Sequence, residues 1–148
     1  MNDANTMAPK WFVILAVLMA IWNLMGVMAF IMQITIQITM TAEQIAALPE
    51  KEQILYQDIP IWVNIAFGCA VFGGLLGCIA LAFKKAIALP ILFISLAGVF
   101  VQMFHSFFIA NAFEEYGPGG AVMPMMVIII ASFLVWLANN AKTKGWLA

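Results

Sequence analysis

A few uncharged polar side chains stand inside otherwise apolar stretches of this sequence, with one tryptophan beside them: Gln33, Trp62, Asn64, Gln102, His105 and Ser106. Polar groups are costly to place in the hydrocarbon of a membrane, so those that occur there usually serve a function. Amide, imidazole and hydroxyl groups can donate and accept hydrogen bonds without a fixed charge. This combination predicts a small pocket that binds a neutral polar solute, with Trp62 at its rim.

The same residues also fit a second interpretation, in which they bond to neighbouring helices. Asn and Gln side chains commonly link membrane helices, and each such contact is worth about 0.6–2 kcal/mol. In helical geometry, Gln102, His105 and Ser106 share one face with Ser95 and Gly98. That face suits a pocket wall and a helix contact equally, so both interpretations stay open.

The sequence offers little for catalysis or metal binding. His105 is the only histidine, and no acidic residue lies inside an apolar stretch to orient it as a general base. No second histidine, thiolate or carboxylate is placed to complete a metal site with it. Glu114 and Glu115 follow the third apolar stretch and are expected in a solvated turn. We therefore expect no catalytic residues, no metal site and no cofactor.

The composition is that of an integral membrane protein. Of the 148 residues, 66% are hydrophobic and 9% are charged, and the mean hydropathy is +1.06. A soluble domain of this size needs a charged surface that so few charged residues cannot provide. The net charge of −1 leaves no basic patch for nucleic acid, so the expected partner of most of the surface is the lipid bilayer.

Four apolar segments predict an all-α, four-helix membrane bundle in a single domain, residues 1–148. The expected helices cover residues 11–36, 60–83, 86–113 and 121–141, and an outer loop covers 41–59. Segment 60–83 has no charged residue and, at about 1.5 Å per residue, is long enough to cross about 30 Å of hydrocarbon. A capping box at Thr41–Gln44 predicts that the outer loop contains short interfacial helices.

Small residues recur along one face of the second predicted helix, and a glycine lies on the third: Ala66, Ala70, Gly73, Gly77, Ala80 and Gly98. On the second helix they are spaced by four, three, four and three residues, which keeps them on one face at about 100° per residue. Helices in lipid associate by close packing, so a neighbouring helix should approach most closely here. Gly73 and Gly77 also form a GxxxG pattern, and we expect a homo-oligomer or larger membrane complex with this face at an interface.

The lysines are distributed unevenly between the two expected sides of the membrane. Five of them fall on one side: Lys10, Lys84, Lys85, Lys142 and Lys144. The other side has Lys51 and most of the acidic residues. The positive-inside rule then places both termini in the cytoplasm and the loop 41–59 outside.

Several motifs are distributed over nearly the whole chain: WNLMG at 22–26, AALPEKEQILY at 46–56, PIWV at 60–63, AVFGGLLGC at 70–78, Gln102, MPMMVIIIA at 123–131 and KGW at 144–146. They resemble a family of small bacterial inner-membrane proteins with four helices, commonly labelled sugar transporters. The resemblance implies a multi-pass protein of the bacterial inner membrane that handles a sugar-like solute. The Pro-Gln pair of sugar transporters built from three-helix units does not occur here, so their mechanism is not expected.

Two functions follow as hypotheses. The first is transport or binding of a small neutral, sugar-like solute in an outward-facing pocket formed by the polar residues named above. The alternative is a structural or accessory subunit of a larger membrane complex that transports nothing itself. Solute flux through the isolated protein would favour the first, and stable co-purification with a larger complex would favour the second.

Overall fold

A computed structural model of the chain describes residues 7–56, 59–109 and 111–148, with the backbone alone at 54, 55, 112, 113, 115 and 116. Positions 1–6, 57, 58 and 110, which belong to the predicted domain, outer loop and third helix, lie outside the described residues. The described part is helical and contains no strand. Its elements are α1 (Lys10–Thr39), α2 (Ala42–Ala46), α3 (Glu50–Tyr56), α4 (Ile61–Ala82), α5 (Ala88–Phe104), a π-helical turn (His105–Ile109), α6 (Ala112–Gly120) and α7 (Val122–Thr143).

Four helical segments within the described residues are long and apolar enough to cross a membrane: Lys10–Thr39, Ile61–Ala82, Ala88–Ile109 and Gly117–Thr143. The shortest have 22 residues. At about 1.5 Å per residue, that length matches the hydrocarbon thickness of about 30 Å. The chain is therefore an all-α membrane protein, and the predicted four-helix membrane bundle is confirmed.

The first helix continues to Thr39, beyond the expected end near residue 36. Its last turns alternate polar and apolar residues, a pattern that is also typical of a strand. The Thr35 hydroxyl donates to the Ile31 carbonyl oxygen at 2.8 Å, and the Thr39 hydroxyl donates to the Thr35 carbonyl oxygen at 2.7 Å. These bonds satisfy the hydroxyl groups along the helix itself, so the alternation does not interrupt it.

The predicted capping box opens α2. The Thr41 hydroxyl accepts from the Gln44 backbone N–H at 3.3 Å, and the Gln44 side chain accepts from the Thr41 backbone N–H at 2.9 Å. The Gln53 amide then donates to the carbonyl oxygens of Ala46 and Leu48, at 3.0 and 2.7 Å. These bonds hold α2 and α3 together as a short helical cap beside α1.

The segment between the third and fourth spans is more helical than the turn expected at 114–120. Asn111 takes a left-handed conformation (φ 49°) and starts α6, which runs to Gly120. The chain kinks sharply inside α6 at Gly117 (φ 67°, ψ −168°), directly before Pro118. A left-handed φ is accessible to glycine, and proline lacks the N–H that a continuous helix would use, so the change of direction falls at this pair.

The spanning helices form a sequence of neighbours, in which α1 packs on α4, α4 on α5, and α5 on α7. We call the end that holds the five lysines named above the lysine end, and the opposite end the loop end. All four helices share one core near the lysine end: Phe12, Ala16, Cys78, Leu81, Ala88, Leu92, Leu134, Leu137, Ala138 and Ala141. Nearer the loop end, the core consists of Ala70, Val99 and Met103 with side chains of α7 and the π turn, and α1 is not part of it.

The segment after α7 closes the lysine end. The Trp146 ring meets the rings of Trp11 and Phe12 edge to face, with centroids 5.9 and 5.5 Å apart. The Ala148 N–H donates to the Lys84 carbonyl oxygen, and the Ala86 N–H donates to the Ala148 carbonyl oxygen, both at 2.8 Å. This segment therefore bonds to the α4–α5 connection and covers the start of α1.

The predicted small-residue face of α4 lies against α5 of the same chain. A Cβ added at Gly98 would lie 2.7 Å from the Ala66 carbonyl oxygen and 2.9 Å from the Ala70 nitrogen. A Cβ added at Gly73 would lie 3.0 Å from the Ser95 Cβ, and one at Gly77 would lie 2.5 Å from a Leu92 methyl group. Ala80 is half-buried and packs beside the lysine-end core.

This packing corrects the expectation that the GxxxG face serves an interface between copies. Gly73 and Gly77 are already covered by α5, because the two glycines allow that helix to approach closely. The same face is therefore not free for a second molecule while the bundle is intact.

Candidate functional site

A cavity of about 420 Å³ lies among the four spanning helices, between the middle of the bundle and its loop end. Its wall uses positions 22–29 of α1, 67–71 of α4, 92–103 of α5 and 123–134 of α7. Sites for small molecules usually measure about 300–1,000 Å³ and are largely apolar. The cavity has the size and the central position of such a site.

The cavity exists because α1 leaves the shared core before the loop end. At Gly26, α1 still approaches α4 closely, since an added Cβ would lie 3.0 Å from a Val71 methyl carbon. Beyond that point, the small side chains of Ala29 on α1 and Ala131 on α7 leave space between these helices. No side chain of the wall fills that space, so a void remains at the centre of the bundle.

The floor of the cavity is closed toward the lysine end. Leu92 and Leu134 line it there, and both also belong to the core that the four helices share. Each of the two side chains is 2% exposed. In this conformation the cavity therefore has no passage toward the lysine end.

The mouth of the cavity opens sideways, between α1 and α7. These two helices do not form a packed pair along their length. Met25 of α1 and Met123 of α7 both line the cavity, and they are 61% and 58% exposed. Both residues lie on membrane-spanning helices, so the mouth opens on the outside of the bundle between two of the spans.

Four residues with polar side-chain groups line the cavity: Trp22, Asn23, Ser95 and Gln102. The Ser95 hydroxyl donates to the Ala70 carbonyl oxygen at 2.6 Å. The Asn23 amide donates to the Met19 carbonyl oxygen at 2.9 Å and to the Cys78 sulfur at 3.7 Å. The Gln102 amide and the Trp22 indole N–H make no hydrogen bond to any residue that the structure describes, so both remain available to a ligand. The Gln102 amide is the one of the two that can both donate and accept.

Asn23 is held in place by a glycine on α4. Its side-chain amide lies directly on Gly74, where an added Cβ would overlap with the Asn23 oxygen. Asn23 was visible in the sequence as the one polar interruption within the inner part of the first helix, but it was not among the predicted site residues. Gly74 follows Gly73 and lies outside the predicted small-residue face, so no spacing rule indicated its role.

The predicted residues Gln33 and Asn64 bond to each other across α1 and α4, outside the cavity wall. The Gln33 amide donates to the Asn64 oxygen at 3.0 Å, and the Asn64 amide donates to the Gln37 oxygen at 2.8 Å. The amide nitrogen of Gln37 is buried and has no hydrogen-bond partner among the described residues. For this pair, the geometry is that of an inter-helix link.

The predicted residues Trp62, His105 and Ser106 lie one step closer to the loop end than Gln102, and none of them lines the cavity. The rings of Trp62 and His105 meet edge to face, with centroids 5.4 Å apart. His105 is buried, Ser106 is half-buried, and both belong to the π turn that follows α5. A π turn inserts one residue into a helix and is frequent beside functional sites, and this one begins one turn beyond Gln102.

The polar groups on the described part of the cavity wall are uncharged. They belong to Trp22, Asn23, Ser95 and Gln102, and the described part of the wall contains no histidine or acidic residue. Among the described residues, no group of three or more histidine, cysteine or acidic side chains could hold a metal ion. A charged ligand would lose its hydration without a compensating partner, so the wall suits an uncharged ligand.

The fold and the cavity define a class: a four-helix membrane protein with an uncharged internal cavity that opens between two of its helices. Comparisons with protein-family models, with curated proteins and with solved structures find no match for the chain. Its function is therefore argued from the cavity itself.

Proposed function

We propose that this protein binds a small uncharged molecule in the cavity between its four spanning helices, as a binding protein or carrier of the bacterial inner membrane. The observation that carries the proposal is the Gln102 amide, which bonds to no described residue and lines a largely apolar cavity of about 420 Å³. An amide can donate and accept at once, so it can fix the orientation of an uncharged ligand. The uneven distribution of lysines supports a cytoplasmic lysine end, with the cavity in the outer part of the membrane.

Carriage across the membrane would need a second conformation. The floor formed by Leu92 and Leu134 separates the cavity from the lysine end. Alternating access requires that such a barrier opens when the outer side closes. In that second conformation, the packed side chains around Phe12 and Trp146 would have to move apart.

The resemblance to proteins labelled sugar transporters supports the uncharged character of the ligand. A sugar-like solute was the expectation from the sequence, and it is one of the two ligand classes that the following experiment compares.

The proposal is tested by photolabelling of the protein in lipid nanodiscs with two uncharged diazirine probes. One probe is a monosaccharide and the other is a medium-chain alkanol. Mass spectrometry of the digested protein compares labelling at the cavity residues Met103 and Val127 with labelling at the lipid-facing residues Phe93 and Ile94. We expect saturable labelling of the cavity residues by at least one probe.

Ala131→Leu should remove this saturable labelling, because the larger side chain occupies part of the cavity. Ala97→Leu is the matched control, since it makes the same change on an exposed face of α5. Absence of cavity labelling by both probes, or equal labelling in Ala131→Leu, would contradict the proposal. Stable co-purification with a larger membrane complex would then favour the accessory role.

A further inference from the structure

The hydrogen-bonding groups on the cavity wall restrict the class of ligand more than the absence of charge alone does. Ser95 and Asn23 already donate to partners within the bundle, whereas the Trp22 indole N–H and the Gln102 amide bond to no residue that the structure describes. Of these two groups, only the Gln102 amide can both donate and accept. A sugar carries a hydroxyl group on nearly every carbon atom. Each hydroxyl buried without a partner costs about 1–3 kcal/mol, so this wall disfavours a polyhydroxylated ligand.

The Gln102 amide lies toward one end of the cavity. Gln102 is ten residues beyond Leu92 on α5, which places them about 15 Å apart along the helix axis. The wall below Gln102 is formed mainly by apolar side chains, and it ends at the floor of Leu92 and Leu134. A ligand that matches this gradient has one hydrogen-bonding group at one end and an apolar body.

The mouth indicates the route by which such a molecule arrives. Met25 and Met123 flank an opening on the outside of the bundle, between two of the membrane-spanning helices. Methionine side chains are flexible and polarisable, and they adapt to apolar ligands of different shape. A molecule already dissolved in the bilayer can therefore enter between α1 and α7 without crossing the loop end.

Resting on the proposed binding function, we propose that the ligand is a lipid-soluble amphipathic molecule with a single hydrogen-bonding head group. Its head bonds to the Gln102 amide, and its apolar body lies along the cavity toward Leu92. It enters sideways from the bilayer, between Met25 and Met123.

The experiment uses the alkanol and monosaccharide probes introduced above, with the full chain in nanodiscs. We expect the alkanol probe to label Met103 and Val127 saturably, and the monosaccharide probe to leave them unlabelled. Gln102→Leu should raise the half-saturating alkanol concentration about two- to tenfold, the effect of one lost hydrogen bond. Gln37→Leu, which removes an amide outside the cavity wall, should leave that concentration within about twofold.

A measurement on the unmodified chain gives an independent readout. An unlabelled alkanol should displace the alkanol probe from the cavity at lower concentration than the alkane of equal length, because the alkane cannot bond to Gln102.

Cavity labelling by the monosaccharide probe alone would overturn the amphipathic ligand and leave the proposed binding function standing. Equal displacement by alkanol and alkane, or no effect of Gln102→Leu, would overturn the role of Gln102. Labelling by neither probe would overturn both proposals.

Discussion

Asn23 and Gly74 form the tightest contact between α1 and α4. The Asn23 amide bonds within its own helix and to Cys78, and its oxygen lies where a Gly74 Cβ would be. An asparagine in the middle of a membrane helix is costly unless its polar atoms find partners. The glycine makes that possible, because it leaves room for the amide to turn into the bundle.

We expect Gly74→Ala to destabilise the bundle by about 1–3 kcal/mol, the usual cost of overpacking a core. The measurement is the free energy of unfolding in mixed micelles of a mild detergent and dodecyl sulfate. Gly119→Ala is the control, since no atom lies within 4 Å of a Cβ added there. Asn23→Ala should remove most of the penalty in the double variant, because it removes the overlapping group. Equal penalties with and without Asn23 would contradict this account.

The polar residues show how far single positions can be predicted. Gln33 and Asn64 were predicted either to line the solute pocket or to link helices, and they bond to each other across α1 and α4. Gln102 lines the cavity, whereas His105 and Ser106 on the same predicted face do not. Both residues belong to the π turn beyond the last cavity residue of α5, and a helical period predicts a shared face but not where a cavity along it ends.

The α4–α5 pair is the closest helix contact of the bundle, and it was the element most accessible to sequence analysis. Its spacing rule depends only on the period of a helix and on the size of the side chains. The helix that packs against this face could not be predicted in the same way, because a face of small residues suits any neighbouring helix. The structure places α5 of the same chain there, with Gly98 against the backbone of α4.

We expect Gly98→Ala to destabilise the bundle by at least about 1–3 kcal/mol, and to do so without rescue by any side-chain change on α4. Its added Cβ would meet the Ala66 carbonyl oxygen and the Ala70 nitrogen, which are backbone atoms. The two helices would therefore have to separate. The midpoint of thermal unfolding in detergent measures the effect.

The neighbouring variant Ala97→Leu serves as the control, because that residue is exposed on the outer face of α5. Its midpoint should stay close to that of the unmodified protein. An unchanged midpoint in Gly98→Ala would mean that α4 and α5 do not approach as closely in the membrane as described here.

The cavity is a property of the whole bundle, and this is why it could not be predicted from the sequence. Its existence depends on α1 and α7 converging at the lysine end and separating toward the loop end. No single helix carries that information, because each wall is an ordinary apolar face. The four spans, by contrast, follow from length and hydropathy alone, so they were predictable.

Because the lysine end is closed, we expect water-soluble reagents to reach the interior of the bundle slowly from that end. Cys78 is fully buried in the shared core, and Trp146 packs against that core while contacting Trp11 and Phe12. In a Cys69→Ala background, which removes the exposed thiol, Cys78 is the remaining cysteine. We expect Trp146→Ala to raise the rate at which a water-soluble maleimide modifies Cys78 by about fivefold or more, since about 1 kcal/mol of lost packing shifts an opening equilibrium by that factor.

Trp136→Ala is the matched control, because Trp136 is 58% exposed on α7 and its ring stacks on Phe133, which is also exposed. Its modification rate should equal that of the Cys69→Ala parent. If Trp146→Ala remains folded by circular dichroism and its rate is also unchanged, the core alone keeps the lysine end shut. A faster rate would instead identify the Trp146 contact as part of the barrier that a carrier must open, because the same core separates the cavity from the lysine end.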